Sequence, residues 1–296
     1  MNSNLTFRDI KVLTALLKYR ILAISQLAYL CFPSKQMARK KIREYVKNGL
    51  IERLQQNFNG EPGRPENVYT LTQKGIKIIR DQDAISFSKD LKSYDKSNLF
   101  DIDHQLLLNW IKIHLQNVGS QISVIHTHFL SQVEFPDYYT IDISVSKMGS
   151  ALIPDGIFSI TNTRQSKSLL FFLEIDMGTE ALSSANPGKK DIRKKVLAYQ
   201  FIFKNKLYSK FEKPFNGMFN GFRTLFVTNT SHRSRQISRL VKSFKMTDFI
   251  WITDKQSVFK NGISAEIWTK GGKDNDGRFS ILGNSSSFNY RLKLPK

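Results

Sequence analysis

The sequence predicts an α+β protein with two domains. The N-terminal domain is expected to contain three helices and a two-stranded ribbon, and the larger C-terminal domain to be an α/β sandwich. Helical periodicity with cap residues dominates the first 50 residues. From residue 104 onward, apolar runs of strand length are interspersed with amphipathic helices. Between them, residues 81–103 lack a sustained apolar period, which predicts a linker.

The composition allows two hydrophobic cores and favours a polyanionic partner. Of the 296 residues 41% are hydrophobic, which excludes general disorder. The net charge of +20 favours nucleic acid over an anionic membrane surface. The chain shows neither an apolar run of about 18 residues nor a leader of signal-peptide type. Because its single cysteine, Cys31, also fits a reducing compartment, we expect a cytoplasmic protein without membrane contact.

Residues 1–80 predict a winged helix-turn-helix domain. Thr6, Ser25 and Ser34 are suitable N-caps for three successive helices, and Gly49 ends the third. The segments LIERL and VYTLT then predict two strands around the turn-rich GEPGRPEN, before a further helix from Gln73. Three helices followed by a ribbon are typical of this DNA-binding arrangement.

The third helix, residues 34–47, is the predicted recognition helix for double-stranded DNA. Met37, Ile42, Tyr45 and Val46 are expected to face the core. Residues 1–80 hold 15 Lys and Arg against 5 Asp and Glu, although a solvated helix face or a winged helix that binds only protein would show the same charge. Arg39 and Arg43 suit guanine, since arginine binds it bidentately. The expected DNA-binding residues are Lys35, Gln36, Arg39, Lys40, Arg43, Lys47 and, at the wing tip, Arg64.

Carboxylates interrupt the apolar runs that predict the central strands of the second domain. Asp155 lies in ALIPDGIFSI, and Glu174 and Asp176 lie in SLLFFLEIDMGTE; the polar break at residues 162–166 predicts that the two strands are antiparallel neighbours. A carboxylate in such a strand is costly unless it is paired or binds a metal. Glu174 and Asp176 leave the same strand face. With Asp155 opposite them, the three oxygen donors predict a site for Mg²⁺ or Mn²⁺.

These motifs resemble two related groups of proteins. The order Pro154-Asp155, Glu174-Ile175-Asp176 and a following helix resembles the PD-(D/E)XK nuclease superfamily. A winged helix, then PDG, a strand ending in ExDxGTE and a helix with K…Y, resembles the plasmid replication-relaxation family over roughly residues 5–255. The resemblance implies that residues 104–296 form an α/β sandwich of restriction-endonuclease-like type. It also implies a role in plasmid replication and DNA relaxation.

One departure from the nuclease pattern leaves the activity open. The superfamily places a lysine two residues after the second acid, where this chain has Asp176. Some members carry that lysine on the following helix, where Lys195 and Tyr199, four residues apart, share one face, whereas Lys194 is expected to be solvated or to bind phosphate. The hypothetical catalytic set is therefore Asp155, Glu174, Asp176, Lys195 and Tyr199. The alternative is an inactive nuclease fold whose acids are only structurally paired.

The resulting prediction is a DNA-binding protein of a plasmid or mobile element, with a homodimer left open. It would act in replication initiation or relaxation by metal-dependent nicking, or else as a non-catalytic regulator. A rival chemistry would use His126 and His128 as metal ligands and Tyr199 as nucleophile, but Thr127 replaces the large apolar residue of such His-x-His pairs. A second basic helix, with Arg233, Arg235, Arg239 and Lys242, either follows a DNA backbone or is solvated.

Overall fold

The computed structural model describes residues 5–55, 66–81, 102–130, 135–144, 151–186, 188–273 and 276–283. The fold is mixed α+β, as predicted, and it divides into two compact units. One unit comprises the described residues up to Trp110, and the other begins at Ile111. The dividing point falls inside a helix, whereas the sequence predicts that the second domain begins at residue 104. Arg64 and most of the predicted linker lie outside the described residues.

The first unit contains helices packed on a small antiparallel sheet. The strand order in this sheet is β1-β3-β2. The short strand β1 was not predicted, because three residues between two helices show no alternation. The elements are α1 (Phe7–Tyr19), β1 (Ile21–Ala23), α2 (Ile24–Cys31), α3 (Lys35–Lys47), β2 (Ile51–Arg53), β3 (Val68–Leu71), α4 (Gln73–Asp81) and the first half of α5 (Ile102–Gln121).

Cap residues explain where the first helices begin. Thr6 and Asp9 form a reciprocal capping box at α1, and the Ser34 side chain accepts the Met37 backbone N–H at α3. The expected cap at Ser25 is wrong, because α2 begins at Ile24 with Ala23 as its N-cap, two residues earlier than expected. There the Gln26 side chain accepts the N–H of Ala23 at 3.1 Å.

The buried face of α3 is narrower than expected. Ala38, Ile42 and Tyr45 are buried in it. Met37 and Val46, which were expected in the core, are 41% and 39% exposed. Helical spacing alone places them near the edge of the apolar stripe, and only the neighbouring elements determine how wide that stripe is.

The second unit is built around a six-stranded mixed sheet. The strand order is β11-β10-β9-β8-β7-β4. Strands β8, β9 and β10 are mutually parallel, whereas the β4–β7, β7–β8 and β10–β11 pairs are antiparallel. From the end of α5 onward the elements are β4 (Ile125–Phe129), α6 (Pro136–Tyr139), β5 (Ile141–Asp142), β6 (Ala151–Leu152), β7 (Gly156–Asn162), β8 (Lys167–Asp176), α7 (Ile192–Lys204), a 3₁₀ turn (Leu207–Phe211), α8 (Glu212–Phe215), β9 (Phe222–Thr228), α9 (Ser231–Lys242), β10 (Ile250–Asp254), α10 (Lys255–Asn261) and β11 (Thr269–Lys270).

The predicted pairing of the two central strands is confirmed, and two helices cover one face of the sheet. Strands β7 and β8 pair antiparallel from Gly156 opposite Leu173 to Asn162 opposite Lys167. Helices α7 and α9 pack on the sheet through an apolar cluster of Ile192, Val196, Phe226, Ile237, Val241, Ile250 and Ile252.

The late elements α10 and β11 were not predicted, because the sequence there reads as loop-rich. Every helix among the described residues is too short or too polar to span a membrane.

Candidate functional site

The acidic cluster lies at the end of the central strand β8. Leu170 and Phe172 on this strand belong to the apolar cluster that also contains Tyr199 of α7. Because side chains alternate along a strand, Glu174 and Asp176 continue the same row beyond this core. Asp155 immediately precedes β7, and the β7–β8 pairing extended by one residue sets it opposite Glu174. Its Oδ2 accepts the backbone N–H of Ile175 at 2.7 Å.

Glu174 is held by two side chains of helix α7. The carboxylate is only 2% exposed. Lys195 Nζ lies 3.0 Å from its Oε2, and the Tyr199 hydroxyl donates to its Oε1 at 2.5 Å. Lys195 and Tyr199 are four residues apart and therefore lie on one face of α7, as the sequence analysis expects.

Burial and neighbouring charges shift the pKa values of Glu174, Lys195 and Tyr199 in different directions. Burial, with a smaller contribution from the charge of Asp155, raises the pKa of Glu174 to about 7 against the lowering effect of Lys195. Burial alone would lower the pKa of Lys195, but the charges of Glu174, Glu180 and Asp155 outweigh it and hold that pKa above its ordinary value. The pKa of Tyr199 lies well above 10 because the hydroxyl is buried beside Glu174. At neutral pH Lys195 is thus charged, and Glu174 is the group poised to titrate.

Asp176 is paired with Arg233 of helix α9. Arg233 Nε lies 3.1 Å from both carboxylate oxygens of Asp176, and Nη2 lies 2.9 Å from Oδ2. The same Nη2 donates to the backbone carbonyl of Glu180 at 2.6 Å. The Asp176 carboxylate also accepts the N–H of Gly178, whose φ of +83° favours glycine. Arg233, which was expected to track DNA or to be solvated, therefore points inward, and no sequence signal links residues this far apart.

The loop after β8 provides a second carboxylate for Lys195. Glu180 Oε2 lies 2.9 Å from Lys195 Nζ, so the lysine bridges Glu174 and Glu180. Lys194 was expected to be solvated or to bind phosphate. Instead, its Nζ donates to the backbone carbonyls of Asn186 and Lys189, at 2.9 and 2.7 Å. Two adjacent lysines thus hold the ends of the loop that leads into α7.

The three carboxylates do not form a shared ligand set for a metal ion. Asp155 and Glu174 are neighbours, but Asp176 is engaged by Arg233 through both oxygens. Within the described ranges, no group of three or more His, Cys, Asp and Glu residues is arranged to hold a metal. A cation that binds all three would first have to displace Arg233 from Asp176. The Mg²⁺ or Mn²⁺ expected from the sequence therefore stays a prediction, and the present arrangement does not favour it.

The rival histidine and tyrosine chemistry finds no support in the geometry. His126 and His128 are both exposed on β4, which pairs with β7 alone, and the His128 ring packs edge-on against Phe215 with centroids 5.1 Å apart. Tyr199 is fully buried and donates to Glu174. A hydroxyl in that position is closed to an approaching phosphodiester.

The basic face of α3 lies in the first unit. Gln36, Arg39, Lys40, Arg43 and Lys47 are exposed, and Lys35 is half-buried. Lys35 Nζ contacts Glu66 at 2.7 Å, and Ser25 donates to the same carboxylate at 2.5 Å. A concave pocket of about 440 Å³ opens beside these groups; it is lined by Ile24, Lys35, Arg39, Arg43, Glu66, Asn67 and Tyr69. Glu66, which the sequence analysis did not single out, thus ties α2, α3 and the entry to β3 together.

These features define a strongly basic, mixed α+β protein with an ion-paired acidic cluster at its central strand. The family described as replication-relaxation matches residues 13–216, so the chain belongs to the replication-relaxation family. The family suggests a role in the replication or relaxation of a plasmid or other mobile element. The matched segment includes α3 and the Glu174 cluster but ends before α9. No curated protein and no solved structure matches the chain.

Proposed function

We propose that the protein binds double-stranded DNA through its N-terminal unit, which acts as a winged helix, during replication or relaxation of a plasmid or mobile element. The observation that carries this proposal is the exposed basic face of α3. Its opposite face is buried through Ala38, Ile42 and Tyr45, so the helix is fixed. Arg39, Lys40, Arg43 and Lys47 are exposed on the other side, where they can reach a groove. An α-helix with such a face fits the major groove of B-DNA.

Arg39 and Arg43 are the proposed base-reading residues. They are exposed, four residues apart and border the same pocket, so both reach one side of the helix. Lys35 is anchored to Glu66, which favours a positioning or phosphate-binding role for it. Each arginine that grips guanine bidentately contributes about 1–3 kcal/mol of discrimination.

Selection from a random pool of DNA duplexes tests this proposal. We expect the wild-type protein to enrich one sequence motif, and the Arg39→Ala/Arg43→Ala variant to lose that enrichment while it keeps salt-dependent binding. Lys11→Ala/Lys77→Ala is the matched control, because both lysines are exposed outside α3. If the arginine variant selects the same motif with unchanged affinity, α3 is not the recognition helix.

For the second unit we propose a nuclease-like fold of the PD-(D/E)XK type that serves as a non-catalytic platform. Each acid of the cluster on β8 already has a cation inside the protein: Lys195 for Glu174 and Arg233 for Asp176. Such internal pairing offsets the cost of buried carboxylates without a metal.

Metal-dependent nicking is the second candidate function. Asp155 opposite Glu174, with Lys195 on the adjacent helix, supports it, since this trio corresponds to the acid, acid and lysine of the nuclease pattern. A supercoiled plasmid that carries the selected motif is incubated with Mg²⁺ or Mn²⁺. The platform proposal expects no open circular product. Nicking that is abolished by a chelator and by Asp155→Asn would overturn it and establish the second candidate.

A further inference from the structure

We propose that the outward side of α9 is a second DNA-binding surface, which holds the phosphate backbone of a duplex without reading its sequence. This surface, called the α9 surface, consists of Arg193, Arg235, Arg239, Lys242 and Lys245. This inference rests on the proposed function. The first unit would recognise the DNA site, and the α9 surface of the second unit would add contacts to the DNA backbone.

The basic side chains of α9 form one stripe. Arg235, Arg239 and Lys242 follow at steps of four and three residues and are all exposed, so they lie on one face of the helix. The opposite face is buried through Ile237 and Val241. With a rise of about 1.5 Å per residue, the stripe is about 10 Å long. This matches the axial length of about three phosphates of one DNA strand.

Two cations from outside α9 extend this stripe. The Arg193 guanidinium of α7 stacks over the ring of Phe244, which follows α9, at 5.6 Å from the centroid. Next to it, the backbone carbonyl of Lys245 accepts a hydrogen bond from Gln200 of α7 at 2.6 Å. These contacts join the segment after α9 to α7, so the positive charges of both helices belong to one surface.

The nearby acids do not neutralise this charge. Between residues 180 and 248 the sequence contains 15 Lys and Arg residues and four acids, Glu180, Asp191, Glu212 and Asp248. Glu180 pairs with Lys195, and Asp248 pairs with Lys273. Asp191 is 1% exposed and caps α7, where it accepts the backbone N–H groups of Lys194 and Ser184. Glu212 accepts the Phe219 N–H in the region of α8. Because each of these acids is engaged in a cap, a hydrogen bond or an ion pair, the outward-facing cations create a field that attracts a polyanion.

A duplex rather than a single strand is the favoured ligand. Sequence-independent binding of single strands depends on aromatic side chains on which bases stack. Here Phe244, the aromatic residue at this surface, is half-buried and covered by Arg193. The surface thus offers charge without a stacking platform, which suits a continuous phosphate backbone.

Fluorescence anisotropy with a short duplex of arbitrary sequence tests the α9 surface over a series of salt concentrations. In the full chain, Arg235→Gln/Arg239→Gln/Lys242→Gln should weaken binding by about 10- to 100-fold and reduce the slope of log K against log salt by about 2 to 3. Lys167→Gln/Lys204→Gln/Lys213→Gln removes the same charge from exposed positions outside the α9 surface. This control variant should weaken DNA binding much less. Thermal unfolding of each variant shows whether it is folded.

The outcomes separate this inference from the proposed function. If the α9 variant and the control variant bind equally, or if only a single-stranded probe is affected, the α9 surface is not a duplex-binding surface. If Arg39→Ala/Arg43→Ala leaves site selection intact while the α9 variant loses affinity, the recognition helix is refuted and the α9 surface stands. If α3 is the recognition helix and the α9 surface also binds DNA, the α9 variant should weaken binding to the selected motif and to a duplex of arbitrary sequence by the same factor.

Discussion

At the scale of single residues, Glu174 is a buried carboxylate whose charge state responds to pH near neutrality. It is buried, contacts Lys195 and Tyr199, and interacts with the charge of Asp155. Desolvation disfavours its ionised form more strongly than Lys195 favours it, which raises its pKa to about 7. Between pH 4.5 and about 7, Glu174 therefore keeps its proton in the folded protein, whereas in the unfolded chain, where its pKa is near 4.5, it releases it.

This proton gives a prediction for the stability of Glu174→Gln. The contribution of Glu174 to the free energy of unfolding is most favourable below pH 4.5 and decreases as the pH rises to about 7. Glutamine cannot ionise, so its variant lacks this decrease. Relative to wild type, Glu174→Gln should gain on the order of 2–3 kcal/mol between those two pH values. Urea unfolding at a series of pH values measures the difference.

A matched control distinguishes titration of Glu174 from general effects of pH. Asp248 forms an exposed ion pair with Lys273, so Asp248→Asn should give a curve nearly parallel to that of wild type in the same range. Parallel curves for Glu174→Gln as well would show that the buried carboxylate does not exchange its proton in this window.

At the scale of elements, the Asp176–Arg233 pair connects the end of β8 to the first turn of α9. Both side chains are mostly buried, with 4% and 11% exposure. The bidentate geometry sets where α9 starts relative to the strand, and the bond to the Glu180 carbonyl adds the following loop. An arginine in this role supports the α9 surface because it orients the helix without contributing its own charge outward.

Removal of one partner from this pair should be costly. Arg233→Leu leaves Asp176 buried without its cation and should lower the free energy of unfolding by about 3–5 kcal/mol. The double variant Asp176→Asn/Arg233→Leu should lose less than the sum of the single variants, because the uncompensated charge is gone. Denaturant unfolding of the four proteins measures this coupling.

Arg235→Leu is the control, since this arginine is exposed on the same helix. It should change stability by at most about 0.5 kcal/mol. Additive losses in the double-variant cycle would mean that Asp176 and Arg233 do not act as a pair.

At the scale of the whole molecule, each unit presents a basic helix by the same means. An apolar stripe anchors α3 in the first unit and α9 in the second, and this leaves cationic residues exposed. Some acids near these helices serve as caps: Asp9 in the capping box of α1 and Asp191 in the cap of α7. Glu44 and Glu66 each pair with one lysine of α3. Much of the net charge of +20 can therefore act on a partner.

Several features of the fold and of the acidic cluster follow from local sequence patterns. Period-two alternation set Glu174 and Asp176 on one strand face, period-3.6 spacing set Lys195 beside Tyr199 and exposed the cations of α3, and the motifs indicated the replication-relaxation family. These features depend on local geometry, which the order of residues fixes within a few positions.

The partners that neutralise the acids and the point where the units divide depend instead on contacts between distant elements. Arg233 meets Asp176 across 57 residues, and Lys195 bridges Glu174 and Glu180 because α7 packs over the end of β8. Likewise, α5 continues through the predicted start of the second domain, and its first half belongs to the first unit. Ion pairs and packing between distant elements follow from how the sheet and helices assemble, and no local periodicity encodes that assembly.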